Sequence, residues 1–228
     1  MALATDLSRC RSFNASIRTK KTSGTDDMRI FLTGISCVGK TTIGSMLSSR
    51  LGYSFFDLDE EIEIFFGTSI ERLQNKFLTT HSYRNEAAKA LAHILAQPNS
   101  QDCVIALSPS GLMGGFLRVV KKAAGTSVVL TDAPENILNR ITFYDIDSRL
   151  IKKRLTQKER RLYLREIKKD ITYFRKTYDR ADMQVDISGL DAEKSAEKVA
   201  RSLEVVLKKK HVPRARTSEQ SGTPDRRR

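Results

Sequence analysis

At 228 residues, with 39% hydrophobic residues and only three cysteines, the chain is long enough for one globular domain with flanking segments and is not a disulfide-stapled miniprotein. Its net charge of +13 sits mainly at the ends: residues 1–28 hold five basic and three acidic groups and residues 208–228 eight and two, leaving 27 against 22 between them. That mildly basic body argues against a dedicated nucleic-acid site, no apolar run is long enough for a membrane span, and no paired cysteine spacing suggests zinc.

Residues 1–27 are rich in Ser, Thr, Arg and Lys and read as a flexible leader. An organelle-targeting role is the alternative, although no clear amphipathic helix or cleavable secretory signal is visible. The three cysteines, Cys10, Cys37 and Cys103, suit a reducing compartment, so a cytoplasmic location is expected.

Met28 to Leu32 reads as a strand, and Ile43, Met46, Leu47 and Leu51 follow at the spacing of a helix with one buried face. Between them lies Gly34-Ile35-Ser36-Cys37-Val38-Gly39-Lys40-Thr41-Thr42, a P-loop in its strand, loop and helix setting. Gly34 and Gly39 let the backbone curl so that successive N–H groups face phosphate oxygens. Lys40 reaches the β and γ phosphates, and Thr41 offers a hydroxyl to Mg2+. Cys37 is read as a small loop residue rather than a reactive thiol.

A short strand over Tyr53–Phe56 arrives at Asp57-Leu58-Asp59. In extended backbone the two acids would face the same side, at the carboxyl edge of a parallel sheet where ligands bind. One could hold a metal-bound water near Thr41 while the other accepts hydrogen bonds from a hydroxylated substrate; alternatively both simply open the acidic helix through Glu60, Glu61 and Glu63. Ile62, Phe65 and Phe66 are packing residues, and Gly67 ends that helix. Ile70, Leu73, Phe77 and Leu78 mark a second amphipathic stretch. Tyr83-Arg84-Asn85-Glu86 introduces a helix that covers the sheet through Ala87, Ala88, Leu91, Ile94 and Leu95, and on its own Arg84 is an ordinary surface arginine.

Cys103–Leu107 is the next strand, leading to Ser108-Pro109-Ser110-Gly111, and Gly111, Gly114 and Gly115 predict a loose region before a helix through Phe116, Val119 and Val120. Ser127–Leu130 is a strand and 134–143 a helix carrying Arg140. From Arg149 to Arg180 there are 13 basic residues against four acids, read as a long charged helical region facing water. Placed there, a mobile arginine-bearing lid over about 149–176 could close on a nucleotide and exclude water. Met183–Ile187 is the last strand and Ala192–Leu207 the closing helix. Residues 208–228 form a flexible basic tail.

The order of P-loop, Asp57-Leu58-Asp59, Tyr83-Arg84, basic lid and Arg175-Lys176-Thr177-Tyr178-Asp179-Arg180-Ala181-Asp182 resembles the shikimate kinase family over residues 28–207. The resemblance implies a three-layer α/β P-loop kinase-like fold with a five-stranded parallel sheet and a helical lid. It also implies transfer of the γ-phosphoryl group of ATP to the 3-hydroxyl of shikimate, in a monomer. By position, Gly34, Cys37, Val38, Gly39, Lys40, Thr41, Thr42 and Arg140 would serve ATP, with Arg140 by the adenine. Thr41 and Asp57 would serve Mg2+, and Lys40, Asp59 and Arg149 catalysis. Asp59, Arg84, Ser110, Gly111 and Arg175 would serve shikimate.

Departures fall on the acceptor side. The family's lid Arg-Pro is Arg149-Leu150 here, and its substrate-site triple glycine is replaced near Ser108-Pro109-Ser110-Gly111. Its late carboxylate-binding arginine stands four residues before a tyrosine, where this chain has Phe174. Arg175 is one position, about 100° of helix rotation, away. Another small hydroxylated acid as acceptor, or a nucleotide-binding module without catalysis, therefore stays open beside shikimate.

Overall fold

The computed structural model describes residues 28–210; the expected leader and the tail beyond Lys210 lie outside the described residues. Five parallel strands, β1 (Arg29–Thr33), β2 (Ser54–Asp57), β3 (Cys103–Ala106), β4 (Thr126–Thr131) and β7 (Met183–Asp186), form one sheet in the order β2-β3-β1-β4-β7. Their apolar runs reflect burial on both faces, as a parallel sheet between helical layers requires. In β1, Ile30 and Leu32 face one core while Phe31 faces the other. The first core includes Ile43 and Leu47 of α1 (Lys40–Leu51) and Val199 and Leu203 of α8 (Ala192–Lys210). The second includes Ile62 of α2 (Leu58–Phe66), Leu91 of α4 (Thr80–Leu95) and Phe116 of α5 (Gly114–Lys122). Among the described residues no helix is long and apolar enough to cross a membrane.

Register fixes where the site opens. Asp57 pairs with Ala106, which pairs with Leu32, so β2, β3 and β1 end nearly level. The chain leaves β1 into α1 on one face and leaves β3 into the layer of α4 and α5 on the other. The crevice therefore opens between the loop after β1 and the loop after β3.

Several expectations need correction. Met46 is 41% exposed, because α1 packs through Ile43, Gly44, Leu47 and Ser48, with Gly44 closed against Phe55. Helix α3 (Ile70–Gln74) stops before Phe77, leaving Leu78 fully exposed. Phe65 is exposed as well, touching Phe66 and His93 edge-on or tilted. Helix α6 (Pro134–Asn139) is shorter than expected, and Arg140 is its C-cap rather than an interior residue. Gly114 and Gly115 are not loose: a Cβ on Gly115 would stand 2.7 Å from the Arg84 carbonyl, so its lack of a side chain lets α5 pack against α4.

The charged segment is also not one helix. It begins as an antiparallel hairpin, β5 (Phe143–Tyr144) with β6 (Leu150–Ile151), and becomes helical only in α7 (Gln157–Tyr178). Thr156 and Glu159 form a capping box that starts α7. Its Leu164, Ile167, Ile171, Phe174 and Tyr178 pack inward while most of its basic residues face water.

Candidate functional site

The P-loop is built as its glycines dictate. Gly34 sits at φ +147, and a Cβ there would fall 2.6 Å from the Leu130 carbonyl of β4. Cys37 has φ 61 and Gly39, the N-cap of α1, φ 110, so the loop turns through conformations that side chains disfavour. Val38 is buried beneath it, while Thr41 and Thr42 lie exposed in the first turn of α1. Lys40 Nζ donates to the carbonyls of Gly34 and Ile35, each at 3.0 Å, which centres the ammonium in the loop. Burial holds that ammonium below the usual lysine range, against the opposing pull of Asp59, Cys37 and Asp57.

A brace that sequence reasoning missed holds the loop from behind. Asp132 follows β4 with its side chain only 1% exposed, and it pairs with Arg140 Nη2 while accepting from Asn136 Nδ2 and Ala133 N. Burial alone would raise the Asp132 carboxyl, but the hydrogen bonds from Asn136, Arg140 and Ala133 outweigh it and leave it lowered. Arg140 Nε then donates to the Cys37 carbonyl at 3.2 Å. The structure thus places Arg140 against the P-loop backbone. The sequence signal was an acid closing a buried strand just before Pro134.

Asp57 and Asp59 do not share an extended strand. Asp57 ends β2 and N-caps α2, accepting from Asp59 N at 3.0 Å, and Asp59 lies in the first helical turn. Asp57 still meets the P-loop: Thr41 Oγ1 donates to Asp57 Oδ2 at 2.6 Å. Among the described residues no group of three or more His, Cys, Asp or Glu could cage a metal. A hydroxyl and a carboxylate at the phosphate end of the loop fit instead a hard cation that keeps its waters and takes phosphate oxygens. Asp59 is half-buried, and burial, then the like charge of Asp57, pushes its carboxyl up to about 6, with Lys40 opposing.

Arg84 lies half-buried on α4, its stem against Gly114 at the start of α5, and its guanidinium has no hydrogen bond or ion pair among the described residues. The neighbouring Tyr83 is buried, with its ring edge-on to Phe77. The loop after β3 is pinned by Thr33 Oγ1 on the Ser108 carbonyl at 3.3 Å and by Gly111 N on the same carbonyl at 2.9 Å. Gly111 is buried, and Ser110 is half-buried with its carbonyl engaged by Met113 N. From α7, Tyr178 Oη donates to the Pro109 carbonyl at 3.2 Å.

Arg175 is not brought to that loop. It is exposed, and the inward position one residue earlier belongs to Phe174, whose ring stacks on Tyr178 at 5.5 Å. The rotation of about 100° per residue accounts for the difference.

The β5–β6 hairpin is tied to the helices that follow β2. Asp145 Oδ1 accepts from the backbone N–H groups of Asp147 and Arg149, closing the tip. From that tip the Ile146 carbonyl receives the Ser69 hydroxyl, Asp147 pairs with Arg72 at 2.6 Å, and Ser148 Oγ donates to Glu63 Oε1. Arg149 stands exposed beside this latch. A basic hollow on the outer face of α7, lined by Arg165, Lys168, Lys169, Thr172 and Tyr173, contains no residue of the P-loop, the Asp pair or Arg84.

The family model described as shikimate kinase matches residues 36–204. A shikimate kinase of Chlorobium limicola is 33% identical over 112 residues, covering 49% of this chain and 54% of the relative. The chain thus aligns with little more than half the length of the first of these relatives. A second shikimate kinase, of Chlorobaculum tepidum, is 30% identical over 190 residues, covering 82% of this chain and 93% of the relative. The crystal structure of shikimate kinase from Aquifex aeolicus superposes with a TM-score of 0.54 at 29% identity, covering 78% of this chain and 96% of that one.

Proposed function

This chain belongs to the shikimate kinase family, and from that membership we propose that it transfers the γ-phosphoryl group of ATP to the 3-hydroxyl of shikimate. One observation carries the reading: Thr41 Oγ1 bonded to Asp57 Oδ2 joins the phosphate loop to the acidic turn that presents Asp59. Donor and acceptor groups then meet at one crevice, which phosphoryl transfer needs more than it needs a strong base.

In this reading the P-loop N–H groups and Lys40 hold the phosphates, and the Asp132–Arg140 brace keeps the loop curled for them. Thr41 and Asp57 are the residues that would hold Mg2+, which supplies charge neutralisation on the phosphate oxygens. Asp59 accepts a hydrogen bond from the attacking hydroxyl and orients it. Arg149 lies on the lid to neutralise developing charge, and the docked hairpin excludes water from the crevice. Arg84 grips the acceptor carboxylate through its planar fork.

Replacing Arg84 by alanine should raise the KM for shikimate roughly 10- to 100-fold, the loss of charge-assisted hydrogen bonds, with the KM for ATP unchanged. Lysine at that position should recover only part of the loss. Steady-state kinetics varying each substrate separately provides the check, and an equal rise in both KM values would remove Arg84 from acceptor recognition.

A second reading, phosphorylation of a different small hydroxylated acid, has its own support. Phe174 occupies the inward position on α7 beside the Tyr178–Pro109 contact, and Pro109 offers no N–H in the acceptor loop. Both change the wall the acceptor meets while leaving the phosphate side intact.

A further inference from the structure

The second core stops short of the sheet's edge. Buried residues of β1, β2 and β3 belong to it, and among the described residues none of β4 or β7 does. Beside α5 this leaves a cavity of about 250 Å³, floored by Phe31, Leu112, Leu117 and Val120 and walled by Ser127 of β4 and by Asp182 just before β7. Among the described residues that line it there is none of the P-loop, the Ser108–Gly111 loop or the Asp pair, and Arg84 is absent too.

The walls of this cavity are pinned. In the turn between α5 and β4, Arg29 Nη1 donates to the Ala123 carbonyl at 2.8 Å, and a Cβ on Gly125 would fall 2.7 Å from the Phe31 ring, so the missing side chain lets the turn lie against that ring. On the far wall Asp182 Oδ2 accepts from the N and Oγ of Ser127 at 2.8 and 2.7 Å, which fixes its carboxylate. Two cations stand on the rim: Lys121 near the end of α5 and Arg180 just after α7, both exposed. Among the described residues neither side chain has a hydrogen bond or an ion pair. Either cation alone is an ordinary solvated side chain. Their placement together over an apolar floor, opposite one carboxylate already engaged, selects a ligand with an apolar body and a single negative charge.

We propose that this cavity is a second ligand site, binding a small apolar carboxylate with its body on the Phe31 floor and its carboxylate toward Lys121 and Arg180. The volume lies below the roughly 300–1,000 Å³ that holds a drug-sized molecule, so the body is about the size of a single ring. The guanidinium of Arg180 suits a carboxylate because its planar fork matches the two oxygens. The site is separate from the phosphotransfer crevice and does not depend on which acceptor that crevice takes.

Methyl NMR on the full chain tests this with 3-phenylpropionate and its neutral counterpart 3-phenylpropanamide. The expected result for the acid is a saturable shift of the Leu117 and Val120 methyls with a Kd on the order of 1 mM, the amide binding about 10-fold more weakly. Replacing both cations, Lys121→Ala with Arg180→Ala, should bring acid and amide to the same Kd without moving the melting temperature, because neither side chain has a partner to lose. Arg84→Ala should leave the Leu117 and Val120 shifts as they are. Equal binding of acid and amide to the wild type, or a preference for the acid that survives the double replacement, overturns the proposal. So does the absence of a saturable shift at these methyls. Shifts lost in Arg84→Ala place the acid in the crevice, and shifts that follow protein concentration instead of probe mark a second copy; both overturn it as well.

Discussion

Lys40→Ala is expected to lower turnover by roughly 10²–10³-fold, the scale of removing one preorganised charge donor from a transition state, while shifting the melting temperature only slightly. The ammonium makes two hydrogen bonds, both to carbonyls of its own loop. Its loss costs the fold little because the loop stays pinned at Gly34 against Leu130 and at Cys37 by Arg140. Its loss costs the reaction much because, among the described residues, no other cationic side chain bonds the Gly34 and Ile35 carbonyls; Arg140 reaches only the Cys37 carbonyl. Lys40 also lowers the Asp59 carboxyl, so the acid limb of the variant's residual activity should move to higher pH. Turnover and thermal melting measured on the same preparation provide the check; a variant that turns over like the wild type sinks the assignment of Lys40 to the phosphates.

Asp59→Asn should separate function from stability, lowering turnover by roughly 10²-fold or more while making the protein more stable near pH 7.5. The Asp59 carboxyl is pushed up to about 6, chiefly by burial. The folded protein therefore binds that proton more tightly than the unfolded chain, and the stability it contributes is complete below the unfolded value near 4. It is lost as pH rises through about 6, so at pH 7.5 the wild type carries an ionised, desolvated carboxylate at a cost on the order of 2 kcal/mol. Asparagine removes that cost. Urea unfolding should show the variant ahead at pH 7.5 and the gap narrowing toward pH 5, and a variant equally destabilised at both values would contradict the burial account. For the wild type, kcat/KM should fall below about pH 6 as Asp59 protonates and stops accepting from the attacking hydroxyl. This is the stability–activity trade-off expected of a group held for chemistry.

Much of this architecture was legible because it is written locally. The P-loop glycines, the buried runs of β1, β3 and β4, and the apolar stripes of α4 and α8 each declare themselves within a dozen residues. The Asp57-Leu58-Asp59 turn is legible as the end of a strand, but its backbone is not, since Asp57 itself caps the helix that takes Asp59 out of the strand. What stayed hidden depends on partners distant in sequence. Arg140 reaches Cys37 103 residues away, Tyr178 reaches Pro109 69 residues away, and Arg72 meets Asp147 75 residues away. None leaves a periodic signal. The Gly114-Gly115 pair shows the same limit, because glycine can mean freedom or close approach, and only the packing of α5 on α4 distinguishes them. Phe174 packs inward and Arg175 faces water, as helix geometry alone requires of adjacent residues that cannot share a face.

The most direct measurement of the central claim is shikimate-dependent ADP release by the wild-type chain with ATP and Mg2+, with the product identified by phosphorus NMR. The account predicts one equivalent of shikimate 3-phosphate for each ADP, with no comparable release when shikimate is omitted. Saturable nucleotide binding without any shikimate-dependent product would contradict it.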